Sequence, residues 1–271
     1  MNSPKTSRFL IFTPIVIGVL IFNSFKSFAQ NTTISQKNKP DREASALHKV
    51  MIIPFEPRLY LSEIDQKINA ETKLSAREIK YKFRDGLNDQ LFKAFKSTRY
   101  NVVDLMEDTI KYKKDTEGIY QFLSYDYQKI PNQENYQPPK TEKDSKKIEK
   151  GQLNVESDVD ARFMNAKITN AKVVPILYGK YKTDLFIFIN QLEIRASGVK
   201  GPAELGDGNA NRKIIVHYTV YTFDAKEINS GIAETEFEAG LNNPKKIIDK
   251  HFSKIAALIV QRTVKGVAMK K

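Results

Sequence analysis

The chain has 271 residues, 41% apolar and 28% charged, which is enough for a sizeable core and excludes both a wholly disordered chain and a polytopic membrane protein. It carries 44 basic residues against 32 acidic ones, a formal net charge of +12. Cysteine is absent, which excludes disulfide scaffolds, thiolate metal sites and cysteine nucleophiles, and only 3 histidines remain for imidazole chemistry.

Residues 1–29 have the pattern of a secretory signal. Lys5 and Arg8 precede a mainly apolar run from Phe9 to Phe22, and Ser27-Phe28-Ala29 supplies small residues at the minus-three and minus-one positions before Gln30. The run is shorter than the roughly 20 apolar residues that a helix needs to cross a bilayer core, and Pro14 interrupts it. Cleavage near Ala29 takes Lys5, Arg8 and Lys26 from the 44 basic residues and leaves 41 against 32 acidic. No cysteine follows the run, so a lipoprotein anchor has no attachment point. An exported chain without cysteine fits a bacterial envelope better than a eukaryotic secretory route, and the Asn31-Thr32-Thr33 sequon is then a chance match. The expected location is periplasmic or extracellular.

Residues 30–47 are polar and read as a flexible lead-in to one domain spanning 48–266. Val50 to Phe55 predicts a short buried strand ended by Pro54. Ser75 and Glu78 form a capping box, and Ile79, Phe83, Leu87, Leu91 and Phe95 follow at spacing four, which predicts an amphipathic helix. Arg99 to Asp104 predicts a second strand, and Leu105 to about Tyr127 a helical region with Gly118 as a break. From 131 to 160 the composition turns to Asn, Gln, Pro, Lys, Glu and Asp, too polar to offset its chain entropy by burial; it is expected to be a disordered surface insertion.

A helical pattern from Ile168 to Tyr181 leads into Asp184–Ile194, the most apolar strand candidate in the chain. Strands over Lys213–Phe223 and Ile228–Ala239 follow, the latter interrupted near Asn229-Ser230-Gly231. Asn243 as cap, Pro244 at the first position and Ile248, Phe252, Ile255 and Ile259 predict a carboxy-terminal amphipathic helix that stops near Gly266, with a basic tail at 267–271. The expected fold class is α/β (α+β): a single mixed β-sheet with helices packed on it, a long polar insertion and a carboxy-terminal amphipathic helix.

Chemistry-bearing constellations are sparse. His48, His217 and His251 lack zinc-site spacing, and Asp104, Glu107 and Asp108 are the usual carboxylates of a helix start. The glycines from Gly198 to Gly208 lack the Gly-Lys-Ser/Thr ending of a phosphate loop, and no nucleophile-elbow motif occurs. Aromatic residues fall at core spacings, so nucleic acid is not an expected partner, and no cofactor is expected either. Lys245, Lys246 and Lys250 lie in the opening turns of the last helix, where positive charge does not favour the dipole; they are the candidate residues for binding an anionic partner.

Tyr178-Gly179-Lys180-Tyr181-Lys182-Thr183-Asp184 followed by Leu185–Ile189 resembles the helix-to-strand step of envelope modules related to the curli secretion protein CsgG, the penicillin-binding-protein activator LpoB and the amino-terminal domain of TolB. Thr183-Asp184 matches the end of a Gly-Ala-Asp-like turn, Phe223 to Glu227 matches a hairpin turn, and the resemblance in segment order spans about residues 48–264. The resemblance implies helices layered on a mixed sheet, with a binding or assembly role and no catalysis. The expected function is therefore a non-enzymatic periplasmic module of a Gram-negative envelope that meets an envelope protein or an anionic surface. The alternative is a secreted hydrolase or metal-dependent enzyme using Asp104, Glu107 and His217.

Overall fold

The computed structural model describes residues 48–98, 100–131, 162–196 and 211–268. The expected signal, lead-in and nearly all of the polar 131–160 stretch lie outside the described residues.

Six strands form one mixed sheet. They are β1 (Lys49–Ile53), β2 (Tyr60–Ser62), β3 (Asn101–Asp104), β6 (Leu185–Ala196), β7 (Arg212–Thr222) and β8 (Glu227–Phe237), in the order β3-β1-β6-β7-β8, with β2 pairing to β6 beyond the end of β1. The pairs β1–β3, β1–β6 and β2–β6 are parallel, and β7 and β8 continue antiparallel. Successive residues of β1 serve opposite layers: Val50 and Ile52 face one core and Met51 and Ile53 the other. A strand covered on both faces has no polar face, which is why this segment reads as an unbroken apolar run.

The first layer holds α1 (Asp65–Thr72), α2 (Ala76–Lys96) and the carboxy-terminal helix. Ser75 and Glu78 cap α2 reciprocally, and Ile79, Phe83, Leu87, Leu91 and Phe95 are all buried, so the sequence pattern and the helix agree. The second layer holds α3 (Lys113–Gln121), α4 (Val173–Tyr181) and a separate antiparallel pair, β4 (Leu123–Lys129) and β5 (Arg162–Ile168). The helix expected between Leu105 and about Tyr127 is α3, but the β4–β5 pair corrects the sequence reading, which gave no strand between Asp104 and Ile168. Gly118 lies inside α3 and does not break it. Pairing of Lys129 with Arg162 brings the two flanks of the polar stretch side by side.

The last helix is not uniform: α5 (Pro244–Ile247) passes through a π-turn (Ile248–Phe252) into α6 (Ser253–Ala268). Ile247 is therefore buried where the sequence stripe placed Ile248, and Ile248 packs half-buried over Gly86 of α2. Gly266 does not end the helix. It is buried, and a Cβ there would lie 3.2 Å from the Ile228 carbonyl oxygen of β8, so glycine lets the helix approach the sheet. Among the described residues no helix is long and apolar enough to cross a membrane.

Candidate functional site

Two polar constellations stand out, neither of them at the lysines that the sequence singled out. The first attaches β5 to the sheet. One edge of β5 pairs with β4; on the other edge, side chains of β6 and β7 take the place of a neighbouring strand. His217 Nδ1 accepts from the Met164 N–H at 2.8 Å, and Asn190 Nδ2 donates to the Met164 carbonyl at 2.8 Å. Thr219 Oγ1 accepts from the Ala166 N–H at 3.2 Å, and the Tyr221 hydroxyl donates to the Ala166 carbonyl at 2.9 Å. Asn190 reaches this position because β6 bulges between Ile189 and Gln191; the extra residue is aimed at β5, as bulges commonly re-aim a side chain.

His217 thus accepts a backbone bond on its Nδ1 side, while its Nε2 lies 3.1 Å from Glu193 Oε1. Burial pushes the Glu193 carboxyl up, but His217 and Arg195, the latter at 2.6 Å, outweigh it and hold the carboxyl below its ordinary range. Glu227 behaves alike: burial raises it, and Lys167, Ser230 and Asn165 bring it down below the usual value.

The second constellation lies at the carboxyl ends of β1 and β3. The connection leaving β1 crosses the first layer through α2, whereas the connection leaving β3 enters the second layer through α3. The loops that follow these two adjacent parallel strands meet over α2 in a polar junction. Arg84 of α2 reaches into it. Its Nε donates to the Phe55 carbonyl at 2.8 Å, Nη2 to the Tyr120 hydroxyl at 3.0 Å and Nη1 to Met106 Sδ at 3.0 Å. Tyr120 in turn donates to the Pro54 carbonyl at 2.6 Å, and burial raises its phenol despite the opposing Arg84, which keeps it a donor. One helical turn on, Asn88 donates through Nδ2 to Asp104 Oδ1 at 2.7 Å, and the same oxygen accepts from the Met106 N–H at 2.7 Å. Glu56, at the rim, is held by Arg58 at 2.7 Å and by the Tyr125 hydroxyl at 3.1 Å.

The residues named from sequence are dispersed. Asp104 belongs to this junction but serves as a turn-capping acceptor, Glu107 is exposed, and Asp108 accepts from the Ile110 and Lys111 amides. His217 sits on β7, with β6 and β1 between it and β3. His48 stacks on Tyr100 and His251 packs on Phe237. No group of three potential metal ligands converges among the described residues. Lys245 pairs with Asp249 at 2.5 Å and Lys250 lies 4.0 Å from Glu238, while Lys246 has no acidic partner among the described residues. Two residues missed in the sequence, Arg84 and Asn88, flank the apolar stripe of α2 at a spacing of four; a cation and an amide on a core-facing helix edge are the cue.

No family model matches the chain, and no curated protein matches it. Among solved structures, the crystal structure of the lipoprotein GNA1162 from Neisseria meningitidis is similar over 82% of this chain and 98% of that one, at 10% identity and a TM-score of 0.34.

Proposed function

We propose that this protein is an exported, non-enzymatic binding or assembly module of a bacterial cell envelope. The observation that carries this reading is how the would-be catalytic groups are used: Asp104 and His217 are each engaged with backbone amides, on strands separated by two others. An acid or base catalyst needs a proton-accepting atom within reach of a substrate, and these atoms hold the fold instead. The charged, apolar and small-residue order of residues 1–29 supports export, and the resemblance of Tyr178–Ile189 to the CsgG, LpoB and TolB helix-to-strand step supports a binding role. Lys245, Lys246 and Lys250 are the surface that meets an anionic partner, with Lys246 the cation least neutralised by neighbours.

The test is fractionation of the native cell with mass measurement of the recovered chain, followed by crosslinking in the envelope. The expected product starts at Gln30 in the periplasmic or envelope fraction, and a cytoplasmic chain retaining residues 1–29 overturns the reading. Turnover in a broad hydrolase screen that is lost in Asp104→Asn decides for the enzyme alternative. Binding to anionic vesicles should weaken with salt and fall when Lys245, Lys246 and Lys250 become Gln.

A further inference from the structure

We propose that the polar junction at the carboxyl ends of β1 and β3 binds an oxyanion, a carboxylate or phosphoryl group that carries its own hydrogen-bond donor, with Arg84 as the anion ligand and Asn88 as the acceptor of that donor.

Three features of the junction converge on this chemistry. Arg84 is a buried cation, yet among the described residues no carboxylate lies within the 4.0 Å of an ion pair; Asp85, its neighbour in sequence, is exposed. A buried charge is ordinarily paired, because desolvation without compensation is costly. A guanidinium has five N–H donors. Nε spends its single one on Phe55, and Met106 and Tyr120 take one each from Nη1 and Nη2. What remains is one donor on each terminal nitrogen, for which a carboxylate or phosphoryl oxygen is the strong acceptor.

Asn88 supplies the second feature. Its Oδ1 is buried and has no hydrogen-bond partner, and turning the amide over offers no relief, because the group facing it, Asp104 Oδ1, only accepts. A buried amide oxygen left unpaired asks for a donor. The third feature is placement. Arg84 and Asn88 are one helical turn apart, and both touch the same short loop, through Met106 and Asp104 respectively. Residues 105–112 that cover them form only turns, so the covering segment is held by few backbone bonds and can give way to a small ligand. An oxyanion with an attached O–H or N–H satisfies both side chains at once; chloride or acetate satisfies Arg84 alone. The inference is independent of where the protein resides.

Two probes distinguish the sources of this chemistry: inorganic phosphate for a phosphoryl group and N-acetylglycine for a peptide-like carboxyl terminus. Each is titrated into the full mature chain at constant ionic strength made up with chloride, with acetate as the donor-free control, and followed by the NMR signals of the Arg84 Nε–H and the Asn88 side-chain amide. At least one probe should saturate, shift both signals and bind tenfold or more tightly than acetate; which of the two does so names the source. Arg84→Lys, which keeps the charge and loses the fork, should weaken that probe at least tenfold. Should Arg84→Lys fail to fold, Asn88→Leu serves: it should abolish the preference over acetate. The proposal fails if neither probe saturates, if the shifts map to surface lysines alone, or if a folded variant binds as the wild type does.

Discussion

Replacing Thr219 by Val tests whether β5 is held by side chains in place of a strand. The substitution keeps a β-branched shape and opens no cavity, so any loss comes from the hydroxyl. Thr219 Oγ1 accepts from Asn190 Nδ2 and the Ala166 N–H and donates to Asn165 Oδ1. Asn190 Nδ2 retains the Met164 carbonyl, whereas the Ala166 N–H and Asn165 Oδ1 lose the partners they have here. At about 1–3 kcal/mol for each buried group left unsatisfied, the loss is about 2–6 kcal/mol, a large part of a domain stability of about 5–15 kcal/mol. Urea unfolding followed by circular dichroism measures the total, and hydrogen exchange at the Ala166 amide reads the site itself. Tyr221→Phe, which removes one donor to the Ala166 carbonyl, should cost about 1–3 kcal/mol and serves as the comparison. Stability within about 0.5 kcal/mol of wild type together with unchanged exchange at Ala166 would refute the reasoning.

Gly86→Ala should destabilise on its own, since its Cβ would meet Ile248 side-chain atoms at 2.6–2.8 Å, and overpacking costs about 1–3 kcal/mol against a helix-propensity gain of about 1 kcal/mol. In an Ile248→Ala background the sign should reverse, and additive effects in the four-member cycle would count against the contact. Glu193 and Glu227 are held below the ordinary carboxyl range, so their stabilisation is complete above that range and is lost as pH falls through the lower folded values. The deficit of Glu193→Gln against wild type should therefore shrink below about pH 4.3; an unchanged deficit from pH 7 to pH 3 would contradict the assignment.

Where one face of an element decides its fate, the sequence announces it. The spacing-four stripe of α2 follows from burial of one face, the apolar run of β6 from burial of both, and the capping box at Ser75 from the free amides of the helix start; the structure places all three as read. Elements whose backbone is satisfied by side chains carry no such signal. β5 has Asn165 and Lys167 amid apolar residues because its bonds come from His217, Asn190, Thr219 and Tyr221, some 26 to 55 positions away in the chain. β4 is half-exposed and therefore shows only a weak alternation. Ile247 was passed over for Ile248 because the stripe was counted at α-helical spacing, and a π-turn cannot be seen in a count that assumes 3.6 residues per turn. The junction beyond β1 and β3 is half legible: Asp104 stands out as one of several clustered acids, but its value as the anchor of Asn88 depends on α2 crossing β3.

The π-turn at Ile248–Phe252 makes the last helix asymmetric toward insertions and deletions. In a regular helix each residue advances the surface by about 100°, so losing one at the start of α6 would swing Ile255, Ala256 and Ile259 away from the sheet. Within 248–252 one residue is already surplus. Its loss turns the segment into ordinary α-helix and leaves Ile247 in phase with Phe252 and all that follows. Over evolutionary time this turn is the one place in the described helix where chain length can change by a residue without exchanging the buried face for the exposed one.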